Sequence, residues 1–274
     1  MDRLFLDLGN SRYKWRKTSA GLDFNAAIYP PGDVPQAIAD VLADEVGTAR
    51  VVIASVRQAQ FNQSLARALE ARGIAFEFLA IPDPPLLPLA YRDPRTFGLD
   101  RYLNLLAAAR HYGAPTLVVS AGTAVTLDWL DHHGAHAGGC IFPGQRMMHE
   151  ALLAGADGVR ETAEQGAVLA RSTAAGVAGG VVTGWTAGVQ GLIDAILAPM
   201  AHGRPAAATS PPIASSGPVT GTVDAAGEEE TTGAVTILLT GGDAERLHQA
   251  LSLPTVVDSL LLFKGMDIAS QKQA

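Results

Sequence analysis

The chain has 274 residues, a formal net charge of −7 and a pI near 5.4, with 48% hydrophobic and 17% charged residues. That length suits two modest domains or one large one. The acidic balance provides no basic surface for nucleic acid or an anionic membrane, so we expect neither partner. A single cysteine, Cys140, excludes an intramolecular disulfide framework and any multi-cysteine zinc site.

The first half of the chain alternates strand-like and helix-like segments. Two short strands are predicted around a turn at Gly9-Asn10-Ser11, and a proline-rich connector at 82–88 blocks helix formation later on. The predicted strands are 4–8, 13–16, 50–54 and 76–79, and the predicted helices are 34–44, 59–72 and 100–112.

The second half repeats this order. Strand 116–119 breaks at Gly122, strand 125–129 follows, and 136–141 is expected to return antiparallel. Segments 4–16 and 116–130 share one design of apolar strand, hydroxyl-bearing turn and second strand, which indicates an internal duplication of architecture. A strand at 234–239, a helix at 243–252 and a closing segment at 256–264 complete the chain.

Two segments depart from this order. Residues 202–233 are rich in small and polar residues and are predicted to form a disordered surface insertion, with a partner-binding loop as the alternative. Residues 174–193 carry no charge, and glycine recurs every fourth residue at 176, 180, 184 and 188. That stretch is long enough to span a bilayer. It lacks basic flanks, so a soluble helix pressed against another backbone, in a cytoplasmic protein, is favoured.

A candidate phosphate-binding turn lies near the N-terminus, in the run Asp7-Leu8-Gly9-Asn10-Ser11-Arg12-Tyr13-Lys14. A carboxylate suits Mg²⁺, while backbone N–H groups and a lysine ammonium suit phosphate oxygens. The alternative is an ordinary polar hairpin turn. The second half repeats the pattern at Gly122-Thr123-Ala124, and Thr240-Gly241-Gly242 places two glycines before a helix. Neither the P-loop nor the dinucleotide-binding motif is present.

Asp100 and Arg101 begin a predicted helix. Asp100 is interpreted either as an N-cap or as a general base beside a cation for an anionic substrate. His132, His133 and His136 match no zinc-ligand spacing, so we interpret them as solvated hairpin residues, and Cys140 as a small packed side chain.

The order of these motifs resembles that of type III pantothenate kinases over nearly the whole chain outside 202–233. The matching segments are Asp7 to Lys14, Gly98-x-Asp100-Arg101, Gly122-Thr123-Ala124-x-Thr126-x-Asp128, Gly138-Gly139-x-Ile141-x-Pro143-Gly144, Ser172-Thr173 and Thr240-Gly241-Gly242. The resemblance implies an α/β fold of two ribonuclease-H-like, actin-like ATPase domains, here 1–112 and 113–274, with ATP in the cleft between them. It also implies a cytoplasmic homodimer that phosphorylates pantothenate in the first step of coenzyme A synthesis.

The resemblance assigns roles to individual residues. Asp7, Leu8, Gly9, Asn10, Ser11, Arg12, Tyr13 and Lys14 would bind ATP together with Thr123, and Asp7 would hold Mg²⁺ directly or through water. Gly98, Leu99, Asp100 and Arg101 would bind pantothenate, assisted by Tyr91 and Thr173. Asp100 would take the proton from the attacking hydroxyl, and Arg101 would supply a cation.

One position departs from the family pattern. Where the family usually has an aspartate that helps to hold K⁺ or NH₄⁺, this chain has Ser120, a poorer cation ligand. A monovalent-cation site would then depend on backbone carbonyls or on another acid such as Asp128. Two alternative functions remain: a non-catalytic regulatory protein on the same fold, and a related kinase with another small substrate.

Overall fold

The structure, a computed structural model, describes residues 2–21, 23–47, 49–157, 166–198 and 234–272. Its first five strands form one sheet in the order β3-β2-β1-β4-β5, with β1 antiparallel to β2 and parallel to β4. These strands are β1 (Arg3–Leu8), β2 (Arg12–Lys17), β3 (Asn25–Ile28), β4 (Arg50–Ser55) and β5 (Phe76–Phe78). The predicted insertion at 202–233 lies outside the described residues.

A second sheet repeats the first, strand for strand. Its order is β10-β9-β6-β7-β8, and β6 is antiparallel to β7 and parallel to β9, as β1 is to β2 and β4. Its strands are β6 (Thr116–Ala121), β7 (Ala124–Leu130), β8 (His136–Pro143), β9 (Thr236–Thr240) and β10 (Val256–Val257). The architectural duplication predicted from the paired hairpins is confirmed.

In the described ranges, seven helices separate and cover the sheets: α1 (Val34–Val46), α2 (Ala59–Glu70), α3 (Leu99–His111), α4 (Gln145–Gly155), α5 (Thr173–Leu197), α6 (Ala244–Ala250) and α7 (Leu261–Lys272). Helices α1 and α2 pack on the outer face of the first sheet, and α5 and α6 on the outer face of the second. Helices α3 and α7 fill the space between the sheets.

The side chains of β1, which point alternately to the two faces of the sheet, explain this layering. Leu4, Leu6 and Leu8 face α1 and α2, whereas Phe5 faces α3, because neighbouring strand residues point to opposite faces. Helices α3 and α7 pack closely because Gly265 has no side chain, and a Cβ there would collide with the Leu103 carbonyl. The last helix thus joins the second half of the chain to the first.

Helix α5 is, by length and composition, the described helix that could cross a membrane. One face of it packs on the second sheet through Val181, Trp185, Val189 and Ile193, which recur at helical spacing and are buried. Within the described chain, Gly180 and Gly184 do not pack against another backbone, because a Cβ there would meet nothing. Gly188 packs on a side chain instead, because a Cβ there would press on the Phe142 ring.

Three elements were not anticipated. Strand β3 is a mostly exposed edge strand, and α4 has no fully buried residue, so neither shows a clear apolar period. The closing segment predicted at 256–264 divides into the two-residue strand β10 and the helix α7, which continues to Lys272.

Candidate functional site

The two hairpin turns meet across a cleft between the sheets. Ser11, in the β1–β2 turn, lies 2.9 Å from Thr123, in the β6–β7 turn, measured between their hydroxyl oxygens. Beside this contact lies a cavity of about 640 Å³. Asp7, Asp100 and Thr123 all line this cavity. The structure thus brings Asp7 together with two residues that lie 93 and 116 positions after it in the sequence.

Side-chain alternation divides the predicted ATP loop into two groups. The residues that line the cavity are Asp7, Gly9, Asn10, Ser11, Arg12 and Lys14. Leu8 and Tyr13 are buried on the other face, in the core beneath α1 and α2. Asp7 and Lys14 are cross-strand partners in the β1–β2 register and therefore share the inner face. Leu8 and Tyr13 support the loop from below.

Asp7 is a carboxylate in an unfavourable environment. Its pKa is raised to about 7: burial is the main cause, Lys14 opposes the shift, and the nearby Asp100 adds to it. No described residue forms a hydrogen bond or close ion pair with its side chain. A desolvated carboxylate without a bonded partner fits a cation ligand, because a bound cation would compensate the lost hydration.

Asp100 lies in the first turn of α3, whose N-cap position is occupied by Gly98. The N-cap alternative is therefore wrong, although Asp100 Oδ1 accepts a hydrogen bond from the Arg101 N–H at 2.9 Å. Burial is the main cause that raises the Asp100 pKa, and this hydrogen bond opposes it. A carboxylate with a raised pKa that faces the cavity has the properties of a general base.

Arg101 does not present a free charge to the cavity. Its Nε and Nη2 donate to the two oxygens of Asp128 at 2.9 and 2.5 Å, and its Nη1 donates to the Tyr91 hydroxyl at 3.0 Å. The Phe97 ring lies 4.4 Å from the guanidinium carbon. Arg101 is 6% exposed and Asp128 1%, so this is a buried, satisfied ion pair.

His136 belongs to the same cluster. Its Nε2 lies 3.1 Å from Asp128 Oδ1, and the residue is 2% exposed. The interpretation of His136 as a solvated hairpin residue is wrong, because β8 places it beneath Phe97 and Tyr91. Cys140 is half-buried against the outer core of the second sheet, as predicted for a packed side chain.

Other predicted residues lie beside the cavity without lining it. Gly98 is the N-cap of α3 and Leu99 its first residue, and the Tyr91 hydroxyl accepts a hydrogen bond from Arg101, which does not line the cavity either. Thr173 is exposed at the start of α5 and is not brought together with Asp7, Asp100 and Thr123 in this chain.

Ser120 lines the cavity and lies between two other hydroxyl-bearing residues on neighbouring strands. It pairs with Thr126 on β7 and Thr240 on β9, and all three face the cleft. Asp128, the alternative acid for a monovalent cation, is committed to Arg101 and His136. Ser120, Thr126 and Thr240 therefore offer neutral hydroxyl oxygens and no carboxylate. This set of ligands does not fit the monovalent-cation site that the resemblance implies. Within the described ranges no group of three or more His, Cys, Asp or Glu could hold a metal.

Sequence reasoning missed the contribution of α4 to the cavity. Gln145, Arg146 and His149 line it, and Arg146 Nη2 donates to the Ser11 hydroxyl at 2.7 Å. The available signal was Pro143-Gly144 before a polar segment. Gly144 is the N-cap of α4, and a Cβ there would collide with the backbone of Gly122 and Thr123. Arg246 of α6 also lines the cavity and donates to Gln145 at 2.7 Å.

Two sheets of identical topology, with their β1–β2 and β6–β7 turns facing one cleft, define a two-domain actin-like ATPase fold. Comparisons with known proteins agree. The model of the type III pantothenate kinase family matches residues 3–195, and the chain belongs to this family.

Curated relatives and a solved structure are consistent with this assignment. The chain is 36% identical to the type III pantothenate kinase of Halorhodospira halophila, over 72% of this chain and 81% of that protein. It is 33% identical to that of Thiobacillus denitrificans, over 69% and 76%. A structure from Campylobacter jejuni, described as a conserved Baf family transcriptional activator, has a TM-score of 0.57 at 18% identity, covers 98% of both chains and shows the shared fold.

Proposed function

We propose that this chain transfers the γ-phosphoryl group of ATP to the primary hydroxyl of pantothenate, the first step of coenzyme A synthesis, in the cleft between its two sheets. The observation that carries the proposal is that Asp7 and Asp100 face one cavity whose rim is formed by the β1–β2 and β6–β7 turns. Phosphoryl transfer requires alignment of the reacting groups and neutralisation of charge. Asp100 could align the hydroxyl, and Asp7 could hold a cation that neutralises phosphate charge.

The phosphates of ATP would lie against the β1–β2 turn. Gly9, Asn10 and Ser11 line the cavity and would offer backbone N–H groups to the phosphates, and Arg12 and Lys14 line it with positive charge. Thr123 would contact ATP from the opposite side, and Arg146 would add a further cation. Leu8 and Tyr13, which are buried, fix the path of the loop instead of touching the nucleotide.

Asp100 would accept the proton of the pantothenate hydroxyl. Its burial favours the protonated form, so an ionised Asp100 is a stronger base than an exposed aspartate. Residues Gly98 and Leu99 place this carboxylate at the start of α3, and Arg101 fixes the helix start through its pair with Asp128.

Asp7 is the residue that would hold Mg²⁺, directly or through water. When bound, the ion would neutralise phosphate charge. Because the Asp7 pKa is about 7, the side chain is largely ionised only above neutral pH unless a cation binds. No step is assigned to a monovalent cation, because Ser120 replaces the carboxylate that the family usually provides.

The second copy of a homodimer would complete the pantothenate end. Thr173 and the exposed residues Gly180 and Gly184 lie on α5, which offers a smooth surface for a neighbouring helix. Tyr91 and Arg101 would form the wall of that subsite. We propose 1–112 and 113–274 as the two domains and a cytoplasmic location.

The proposal is tested by incubating the purified chain with Mg-ATP and pantothenate and detecting 4'-phosphopantothenate by mass spectrometry. Formation of this product that depends on pantothenate supports the kinase. ATP consumption with another small alcohol but not with pantothenate would favour a related kinase. No ATP consumption with either substrate would favour the non-catalytic regulatory protein.

A further inference from the structure

Two side chains outside the cavity hold the phosphate-binding turn by its carbonyl groups. The Tyr29 hydroxyl donates to the Gly9 carbonyl at 2.7 Å, and Arg57 Nη1 donates to the Asn10 carbonyl at 2.9 Å. Neither Tyr29 nor Arg57 lines the cavity, and Arg57 lines a separate groove beside α2. The turn is therefore held from behind, at two successive peptide units.

Peptide geometry converts these contacts into an orientation of the N–H groups. In a trans peptide the N–H of one residue points opposite to the carbonyl of the residue before it. The described cis peptides are confined to Asp83-Pro84 and Ala114-Pro115, so both peptides of the turn are trans. With the Gly9 and Asn10 carbonyls directed outward, the N–H groups of Asn10 and Ser11 are directed toward the cavity.

These two N–H groups are available to a ligand. Neither donates a hydrogen bond to another described residue. Two successive N–H groups that point to the same side form an anion-binding concavity. Arg12 and Lys14, which also line the cavity, would add their charges to the same phosphates.

The two holding side chains are themselves fixed. The Arg57 guanidinium carbon lies 4.8 Å from the Tyr29 ring centroid and 4.8 Å from that of Phe61, and the Tyr29 and Phe61 rings meet edge to face. The Arg57 N–H donates to the Ser55 hydroxyl at 3.1 Å. Burial raises the Tyr29 pKa well above its usual range, so the hydroxyl stays a donor at any physiological pH.

We propose that Tyr29 and Arg57 are positioning residues for ATP: they lock the Gly9-Asn10 and Asn10-Ser11 peptides so that two N–H groups face the nucleotide phosphates. This inference rests on the proposed kinase function. Since pantothenate binds at the Asp100 end, the two residues affect ATP binding and turnover and leave the affinity for pantothenate unchanged.

The test uses Tyr29→Phe, which removes only the hydroxyl, and Arg57→Met, which removes the donor and keeps an apolar stem between the rings. Each is expected to weaken ATP binding, measured by calorimetry without pantothenate, about three- to tenfold, the usual weight of one hydrogen bond. The KM for ATP should rise by a similar factor, while the KM for pantothenate stays at the wild-type value.

Arg67→Met is the matched control, because Arg67 lines the same groove on α2 without contacting the turn. It should bind ATP like the wild type. Unchanged ATP affinity in both test variants, or equal rises in KM for both substrates, would overturn the positioning role. A wild-type protein that binds ATP but does not phosphorylate pantothenate would instead overturn the proposed function, while the binding comparison would still test the turn.

Discussion

The Ser11 and Thr123 hydroxyls lie 2.9 Å apart and connect the turn of the first sheet to the corresponding turn of the second. The two residues occupy equivalent places in the duplicated topology, after β1 and after β6. The contact therefore joins the two halves of the repeat at the position where a nucleotide phosphate would pass between them. Arg146 adds a third member by donating to Ser11.

Removal of this contact should affect ATP more than pantothenate. We expect Ser11→Ala and Thr123→Ala each to raise the KM for ATP several-fold. Because the hydroxyls share one contact, the double variant should lose less than the sum of both, with a coupling of about 0.5–1.5 kcal/mol. Steady-state kinetics measure the cycle, and Ser252→Ala, whose hydroxyl bonds to Gln190, is the control. Strict additivity would contradict the shared contact.

Removing the charge of Asp7 should stabilise the protein. Its pKa of about 7 in the folded chain lies above the ordinary aspartate value of 3.8, so the folded state binds the proton more tightly than the unfolded state. The ionised carboxylate therefore lowers stability above pH 7, and this effect fades as the pH falls toward 4. Asp7→Asn should raise the free energy of unfolding on the order of 3 kcal/mol at pH 8 without metal.

Denaturant titrations of wild type and Asp7→Asn at pH 8 and pH 4.5, both with EDTA, measure this difference. The gain should shrink markedly at the lower pH. A gain that is the same at both pH values would show that the Asp7 carboxylate is not desolvated in the folded chain.

Ser120 should make the enzyme insensitive to monovalent cations. Its neighbours on the sheet, Thr126 and Thr240, are also neutral, and Asp128 is paired with Arg101. Replacing Na⁺ by K⁺ or NH₄⁺ should change the wild-type rate less than twofold, whereas Ser120→Asp should introduce a dependence on these ions. Strong activation of the wild type by K⁺ would mean that backbone carbonyls and hydroxyls suffice for this site.

Asp128 should be a major stability determinant. It is buried and neutralises Arg101, so Asp128→Asn leaves an arginine charge without its partner and is expected to cost about 3–5 kcal/mol of unfolding free energy. Asp93→Asn, which breaks the exposed pair with Arg95, is the control and should leave stability unchanged within error. Chemical denaturation compares the two, and equal effects would contradict the buried pair.

Local pattern was sufficient for most of the fold. The hairpins of β1–β2 and β6–β7 were predictable because apolar strand segments end at turns that contain glycine. Helix α4 was not, since its side chains are only partly buried and its place is fixed by Gly144 against the Thr123 backbone. Such a close approach depends on the folded chain.

The candidate site shows the same division. Asp7 and Asp100 were identifiable from motif order, and the structure places both in one cavity. The pairing of Arg101 with Asp128 and His136 was not, because it forms only when α3 packs against β7 and β8. From the sequence, Arg101 was therefore interpreted as a cation that binds the substrate, whereas in the structure its charge is neutralised by Asp128.

The most direct test of the account compares kcat for pantothenate phosphorylation in wild type and Asp100→Asn. The amide keeps the size of the side chain but cannot accept the hydroxyl proton, so kcat should fall about 10²–10⁴-fold, with ATP affinity within twofold of wild type. A variant that turns over at more than a tenth of the wild-type rate would contradict the assignment of Asp100 as the base.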